Sequence, residues 1–390
     1  MDKIFSVHET NYNSTAEVAV QVPGVMTLMG AFSDFCKGYC ITGGSTRSLR
    51  LAISKRNDNI VKLFDATRCD RKHFIIQNTL KYKKEDRWAN YIKGVFYELG
   101  LEGYKFTDGL NITIKGGLLY CEDLTISSSL TIAILLALNS LYDLKIERQE
   151  LCRIAYQSIS RFCKLNCRYR DLVTLLFCEE NKVLFFDLQS TSFEKIDYPF
   201  IKGNNGVYGL ILDPLVPHQY LRQEIEEKRE LAHQCLEKLE VAIPCKIRDF
   251  SIMELRSRVV DSLTEHERRT CEYVITETHS AARGHDALVK GDHLNFAKHL
   301  RDIYIGMRDV FEITCLEVDW LIKRAHRTEG VYGASLISNG FTGSIFLVLD
   351  EKGEANLQEH LVEYKKIFDY DPTIRPYIPS GCAKELEALW

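Results

Sequence analysis

Hydrophobic and polar positions along this chain fall into two periods, and the most apolar stretch organises the rest. Leu130 to Leu141 is apolar nearly all round, which predicts a buried helix. Three serines, Ser127, Ser128 and Ser129, stand where that run begins. Just upstream, Leu110-Asn-Ile-Thr-Ile-Lys115 alternates like a strand. A strand, a loop and hydroxyls at the start of a buried helix form an anion site. Free backbone N–H groups and the positive end of the helix dipole face whatever docks, and phosphate is the usual guest. The same residues also describe an ordinary capped helix with Ser127 as N-cap, and the pattern leaves both readings open.

Other elements follow from the same periods. Residues 16–22 predict a first strand that runs into a turn at Pro23-Gly24. Residues 49–53 and 60–64 predict a strand pair across the polar turn Ser54 to Asn59. An amphipathic helix is expected over 85–99, ended by Gly100, and another over 147–163. Strands are expected over Lys182–Asp187, Val207–Leu212 and Ser344–Leu349, a charged helix over 219–240, and mostly helix from 251 to 327. Gly and Asn gather at Ile201-Lys-Gly-Asn-Asn-Gly206, which places a boundary between an N-terminal domain, 1–203, and a C-terminal domain, 204–390. Strands alternating with helices, with neighbouring strands often joined directly, imply a two-domain α+β architecture.

Composition narrows the classes. The chain has 390 residues, 45% of them hydrophobic, enough for a large core. A net charge of −4 gives no basic footprint for nucleic acid. The longest apolar run is too short to span a membrane, and the N-terminus lacks the apolar core of a signal peptide, so a cytoplasmic protein is expected. Thirteen cysteines at irregular spacing fit reduced thiols. Cys36/Cys40 and Cys163/Cys167 lack the matching second pair that a metal site needs. His279, His285, His293 and His299 are expected at solvated positions, and Trp88 and Tyr91 in packing roles.

Five stretches in order resemble the galactokinase branch of the GHMP small-molecule kinases. Val22-Pro-Gly-Val-Met-Thr-Leu-Met-Gly-Ala-Phe-Ser-Asp-Phe35 resembles the family's PGRVNLIGEHTDY, and Trp88-Ala-Asn-Tyr-Ile-Lys-Gly-Val95 its W-x-NYVKGV helix. Thr125-Ile-Ser-Ser-Ser129 sits at GLSSS and Arg168-Tyr-Arg-Asp171 at GIMDQ. Gly330 to Gly343 resembles GVYGARMTGGGFGG. The resemblance covers nearly the whole chain and implies a two-lobed GHMP-kinase fold with the ligand cleft between the N- and C-terminal domains.

By that resemblance Ser127, Ser128, Ser129, Gly340 and Gly343 belong to the phosphate loops, with Ser129 beside Mg2+. Asp34 belongs to the sugar site, and Asp171 to the reacting centre as the residue that takes or orients the hydroxyl proton. The departures are as informative. Asp123 and Thr125 stand where the family has glycines, and Asp123 adds negative charge beside a triphosphate. Ala31 and Phe32 replace the Glu and His of the sugar motif, and Ile225 a tyrosine, while His218 and the pair Lys228-Arg229 are kept. Val25 replaces the arginine that partners the catalytic aspartate, and Arg168 and Arg170 are the nearest substitutes in sequence. Losses in all three functional parts favour a galactokinase-like protein with impaired or lost catalysis, needing no cofactor and keeping a binding, regulatory or protein-partner role. The alternative is an active ATP-dependent sugar kinase with an altered acceptor, using ATP and Mg2+.

Overall fold

The computed structural model describes residues 3–76, 80–117, 125–204, 206–217, 222–242, 246–258, 263–337 and 343–387. The chain forms two compact units that interleave along the sequence. The first takes residues 1–25, 44–180 and 380–390, the second 26–43 and 181–379. The elements in chain order begin with α1 (Lys3–Tyr12), β1 (Val18–Met29), β2 (Tyr39–Arg56), β3 (Ile60–Asp65) and β4 (Asp70–Ile75). They continue with α2 (Ala89–Leu101), β5 (Gly109–Gly116), α3 (Thr125–Leu141), α4 (Arg148–Gln157) and α5 (Tyr169–Phe177). Next come β6 (Lys182–Asp187), β7 (Ser192–Asp197), β8 (Val207–Asp213), α6 (Arg222–Ala242), α7 (Ile252–Arg258), α8 (Glu265–Lys290) and α9 (His293–Ile305). The chain ends with α10 (Leu316–Ala325), β9 (Val331–Leu336), β10 (Ile345–Asp350), α11 (Glu351–Phe368), β11 (Thr373–Pro376) and β12 (Lys384–Glu385).

In the first unit the strand order is β12-β1-β2-β5-β3-β4. The expected pair of strands over 49–53 and 60–64 is not a hairpin. β5 lies between them, antiparallel to β2 and parallel to β3. Its apolar and small side chains are buried on both faces, so it takes the middle of the sheet. The turn expected at Pro23-Gly24 is also absent, and β1 runs straight through it. Proline lacks an N–H and is tolerated where no ladder bond is needed. β12 pairs only Val20 and Gln21, which leaves Pro23 beyond its reach. α3 is buried as its sequence predicts: Leu130, Ile132, Ala133, Ile134, Ala137 and Leu138 are all inaccessible to solvent. α2, α4 and α5 pack around it.

In the second unit β11-β8-β10-β9 form an antiparallel sheet, and β6, carrying β7, pairs with Tyr39–Thr42 of β2. α8 starts at a capping box. The Thr264 hydroxyl accepts from the Glu267 N–H while the Glu267 carboxylate accepts from the Thr264 N–H, at 3.3 and 2.8 Å. It stops at Gly291, whose φ of 66° few other residues adopt at low cost. α8 and α9 pack together, and His299 on α9 is buried there, not solvated; burial lowers its pKa. No helix among the described residues is long and apolar enough to cross a membrane.

Candidate functional site

In the first unit the start of α3 and the start of α5 meet. Thr125 opens α3, so Ser127 stands in the first turn rather than at the cap. Ser127, Ser128 and Ser129 are 8%, 3% and 0% exposed. The Ser129 hydroxyl donates to the Pro23 carbonyl at 2.9 Å, which ties the helix to β1. Ser128 hydrogen-bonds the Cys167 thiol, one residue before the cap of α5. Burial pushes that thiol's pKa up, the Asp171 charge adds to the rise, and Arg168 opposes it. The packing of α3 on α5 therefore brings the serine run beside the Arg-Tyr-Arg-Asp segment.

Asp171 sits in the first turn of α5 and is 2% exposed. Arg168, at the helix cap, places its Nε 3.2 Å from Asp171 Oδ2. Spacing of i,i+3 puts the two on one helical face. Arg170, fully buried, places its Nε 3.8 Å from Oδ1. Both arginines thus reach the aspartate. The Arg170 carbonyl accepts from the Thr174 hydroxyl at 2.8 Å, which steadies the first turn. Among the described residues, buried Oδ1 accepts no hydrogen bond.

In the second unit the strand end of β1 turns at Gly30 into the 3-10 turn Ser33–Cys36, which carries Asp34. Gly30 has φ 81°, and a Cβ there would lie 2.3 Å from the Tyr39 carbonyl oxygen. Gly30→Ala is expected to cost about 2–3 kcal/mol, read by chemical denaturation, because neither strain nor contact can relax cheaply. A loss within error of zero would show that this turn is not constrained as described. Both oxygens of buried Glu277 on α8 accept from successive amides, Ala31 N at 2.8 Å and Phe32 N at 2.9 Å. Phe32 is fully buried against Tyr273 and Phe311, with ring centroids 5.8 and 5.1 Å away. The Arg229 guanidinium lies over Phe32 and Phe35 and 3.8 Å from Asp34 Oδ2. Lys228 pairs with Glu312 at 3.6 Å.

Residues 90–179 match the GHMP kinases N terminal domain, a stretch that holds both the serine run and Asp171. The galactokinase of Pyrococcus furiosus is 27% identical over 354 residues, 90% of this chain and 95% of that one. The galactokinase of Thermococcus kodakarensis is 27% identical over 365 residues, 93% and 98% of the two chains. Along nearly its whole length the chain is similar to the galactokinase branch of the GHMP kinases. The crystal structure of Lactococcus lactis galactokinase complexed with galactose shares the fold at a TM-score of 0.90 and 20% identity, covering 98% of this chain and 99% of that one. Methanococcus jannaschii mevalonate kinase shares it at a TM-score of 0.62 and 14% identity, covering 95% and 98%.

Set beside its branch, this galactokinase-like chain divides its predicted site residues between the two units. Ser127, Ser128, Ser129, Arg168, Arg170 and Asp171 come together in the first. Asp34 lies in the second, as does Gly343, buried at the entry to β10. Asp123, His218 and Gly340, with the side chain of Ile225, lie outside the described residues. No group of three or more metal-ligating His, Cys, Asp or Glu side chains gathers among the described residues. The residues that sequence reasoning missed are Glu277 and Cys167. Neither carries a local signal: Glu277 is 246 positions from the amide it holds. Cys167 was visible only as half of a C-x3-C spacing without a matching second pair.

Proposed function

We propose that this galactokinase-like chain has impaired or lost phosphoryl transfer and serves as a binding or regulatory protein. The observation that carries the reading is the fate of the serine hydroxyls. A phosphate cradle needs donors aimed at a ligand. Here Ser128 and Ser129 are almost wholly buried, their hydroxyls engaged by Cys167 and by the Pro23 carbonyl. At the sugar motif, the positions of the lost Glu and His are Ala31 and Phe32, 3% and 0% exposed, with both amides bound to Glu277. A site built to hydrogen-bond a sugar loses discrimination steeply without those partners.

A second reading, an active ATP-dependent sugar kinase with an altered acceptor, is favoured by one observation. Arg168 supplies Asp171 with the cation that Val25 does not. Phosphoryl transfer passes through a loose transition state, so an orienting aspartate held by arginine is no obstacle to it.

A thermal-shift titration with ATP·Mg2+ separates the two. Any ligand that binds only the folded state must raise the midpoint by mass action. The proposed reading expects no shift at millimolar nucleotide and no ADP release on adding galactose. A dose-dependent rise together with ADP release on hexose addition would replace it with the kinase.

A further inference from the structure

We propose that the lysine ridge Lys81-Tyr-Lys-Lys84, just ahead of α2, is a docking surface for an anionic lipid bilayer. The proposal goes beyond the fate of phosphoryl transfer and does not depend on it. The chain as a whole is acidic, with 54 Asp and Glu against 50 Lys and Arg. Between Asp70 and Arg87 the balance reverses, and six Lys and Arg stand against three carboxylates. Two of those three are already engaged: Asp70 accepts from the Trp88 indole at 2.8 Å, and Asp86 pairs with Lys93. Lys81, Lys83, Lys84 and Arg87 are exposed, and among the described residues no carboxylate pairs with any of them. Tyr82, 50% exposed, stands between the lysines. A ring interleaved with lysines matches the headgroup layer of a bilayer. There the ring lies at the apolar boundary, and the lysine stems carry their ammonium groups to lipid phosphates.

The ridge is held in shape before any partner arrives. Asn90 on α2, 1% exposed, clamps it. Its side-chain carbonyl accepts from Lys83 N at 3.2 Å, and its amide donates to the Lys83 and Arg87 carbonyls at 2.7 and 3.1 Å. Lys72 on β4 donates to the Glu85 carbonyl at 3.2 Å. Arg87 is kept at a φ of 47°, which an L side chain rarely adopts. Little chain entropy is then lost on docking. Shape selects the partner. Every residue from Lys81 to Glu85 is exposed, so this segment is a ridge with solvent on both faces. A peptide or a single nucleic-acid strand is held in a groove, whereas a ridge meets a flat surface. Residue type agrees: three of the four cations are lysine, a hydrated point charge suited to a diffuse anionic layer, while the arginine fork suits single phosphates.

The test is co-sedimentation of the full chain with vesicles of phosphatidylcholine, alone or mixed with phosphatidylserine. Wild-type protein is expected to sediment with the mixed vesicles at roughly 0.1 M salt and to ignore the neutral ones. At about 1 M salt, where the screening length falls to about 3 Å, it should stay free. Each lysine at an anionic surface contributes about fivefold to partitioning, so Lys81→Gln, Lys83→Gln and Lys84→Gln together should lower it about a hundredfold. These side chains are exposed and make no ion pair, so the variant is expected to fold as wild type. Tyr82→Ser should lower partitioning several-fold and leave its salt dependence unchanged. Lys290→Gln, Lys298→Gln and Arg301→Gln remove the same charge from exposed positions in the second unit, and that variant should bind as wild type. Equal losses in the two triple variants would show that net charge is read and not the ridge, and would overturn the proposal. Wild-type protein that leaves the mixed vesicles free at low salt also overturns it, and a shift of a single-stranded RNA oligonucleotide by that same protein would assign the cations to nucleic acid instead.

Discussion

Replacing Glu277 by alanine is expected to destabilise the protein by about 3–5 kcal/mol, the range seen when one side of a buried charged contact is removed. The carboxylate is 1% exposed and receives two amide N–H groups, one at each oxygen. Both donors would be left buried, and each orphan costs about 1–3 kcal/mol. The vacated volume adds to that loss. One turn earlier on α8, burial and the nearby Glu277 charge raise the Tyr273 phenol well above the ordinary range. The next residue, Thr278, meets the Cys36 thiol at 3.1 Å and lies where a Cβ on Gly38 would have to go. One stretch of α8 therefore docks the whole segment from Gly30 to Gly38, including the turn that carries Asp34. With roughly 2–4 °C of midpoint per kcal/mol for a unit of this size, a fall near 10 °C is expected. Glu277→Gln should recover only part of it, because an amide offers one acceptor where two are needed. A midpoint within about 2 °C of wild type for Glu277→Ala would mean that the loop does not depend on this carboxylate.

That dependence marks the limit of what the sequence discloses. α3 was legible because an all-round apolar run has one stable place, inside. The segment Arg168 to Asp171 was legible as a family motif by resemblance, and its ion pair follows from i,i+3 spacing once a helix start is assumed. Whether both arginines turn onto the aspartate was not legible, because Arg170 is a neighbour in sequence and its reach depends on backbone geometry. The middle position of β5 was hidden for a related reason: adjacency in sequence suggested a hairpin between β2 and β3, and only burial on both faces of β5 overrules it. The strand through Pro23 was hidden because the turn signal is local, while the relief from ladder bonding comes from the short partner β12 near the C-terminal end of the chain. Glu277 was silent altogether. A glutamate in a long charged helix is usually solvated, and its role appears only when two amides from residues 31 and 32 arrive beside it. Contacts of long sequence separation carry no periodic signature, and here they hold the turn that carries Asp34.

Acidification is expected to weaken the protein between pH 6.5 and about 4 through His8, by roughly 3 kcal/mol at 1.4 kcal/mol per pH unit. His8 on α1 is fully buried between Ser54 on β2 and Thr113 on β5, with ring nitrogens 2.9 and 3.0 Å from the two hydroxyls. Burial lowers its pKa to about 4 from the ordinary 6.5. The sign follows from proton binding. Above pH 6.5 the ring is neutral in folded and unfolded chains, so the stabilising contact is fully present. Between 6.5 and 4 the unfolded chain takes up a proton that the folded chain refuses, and stability falls until the folded pKa is passed. His326, also lowered to about 4 by burial, acts in the same direction from the second unit. Carboxylates titrate over part of the same window, so a wild-type curve alone is ambiguous, and the difference between variants isolates the histidine. His8→Ala should cost about 2–4 kcal/mol at pH 7, since it leaves the two hydroxyls short of a partner and opens a cavity. At pH 4 the wild type has lost most of the advantage, so the gap between the two proteins should close to about 1 kcal/mol or less. Parallel denaturation free energies from pH 7 to pH 4 would show that His8 takes up its proton as readily folded as unfolded, and that α1 is not held by a neutral ring.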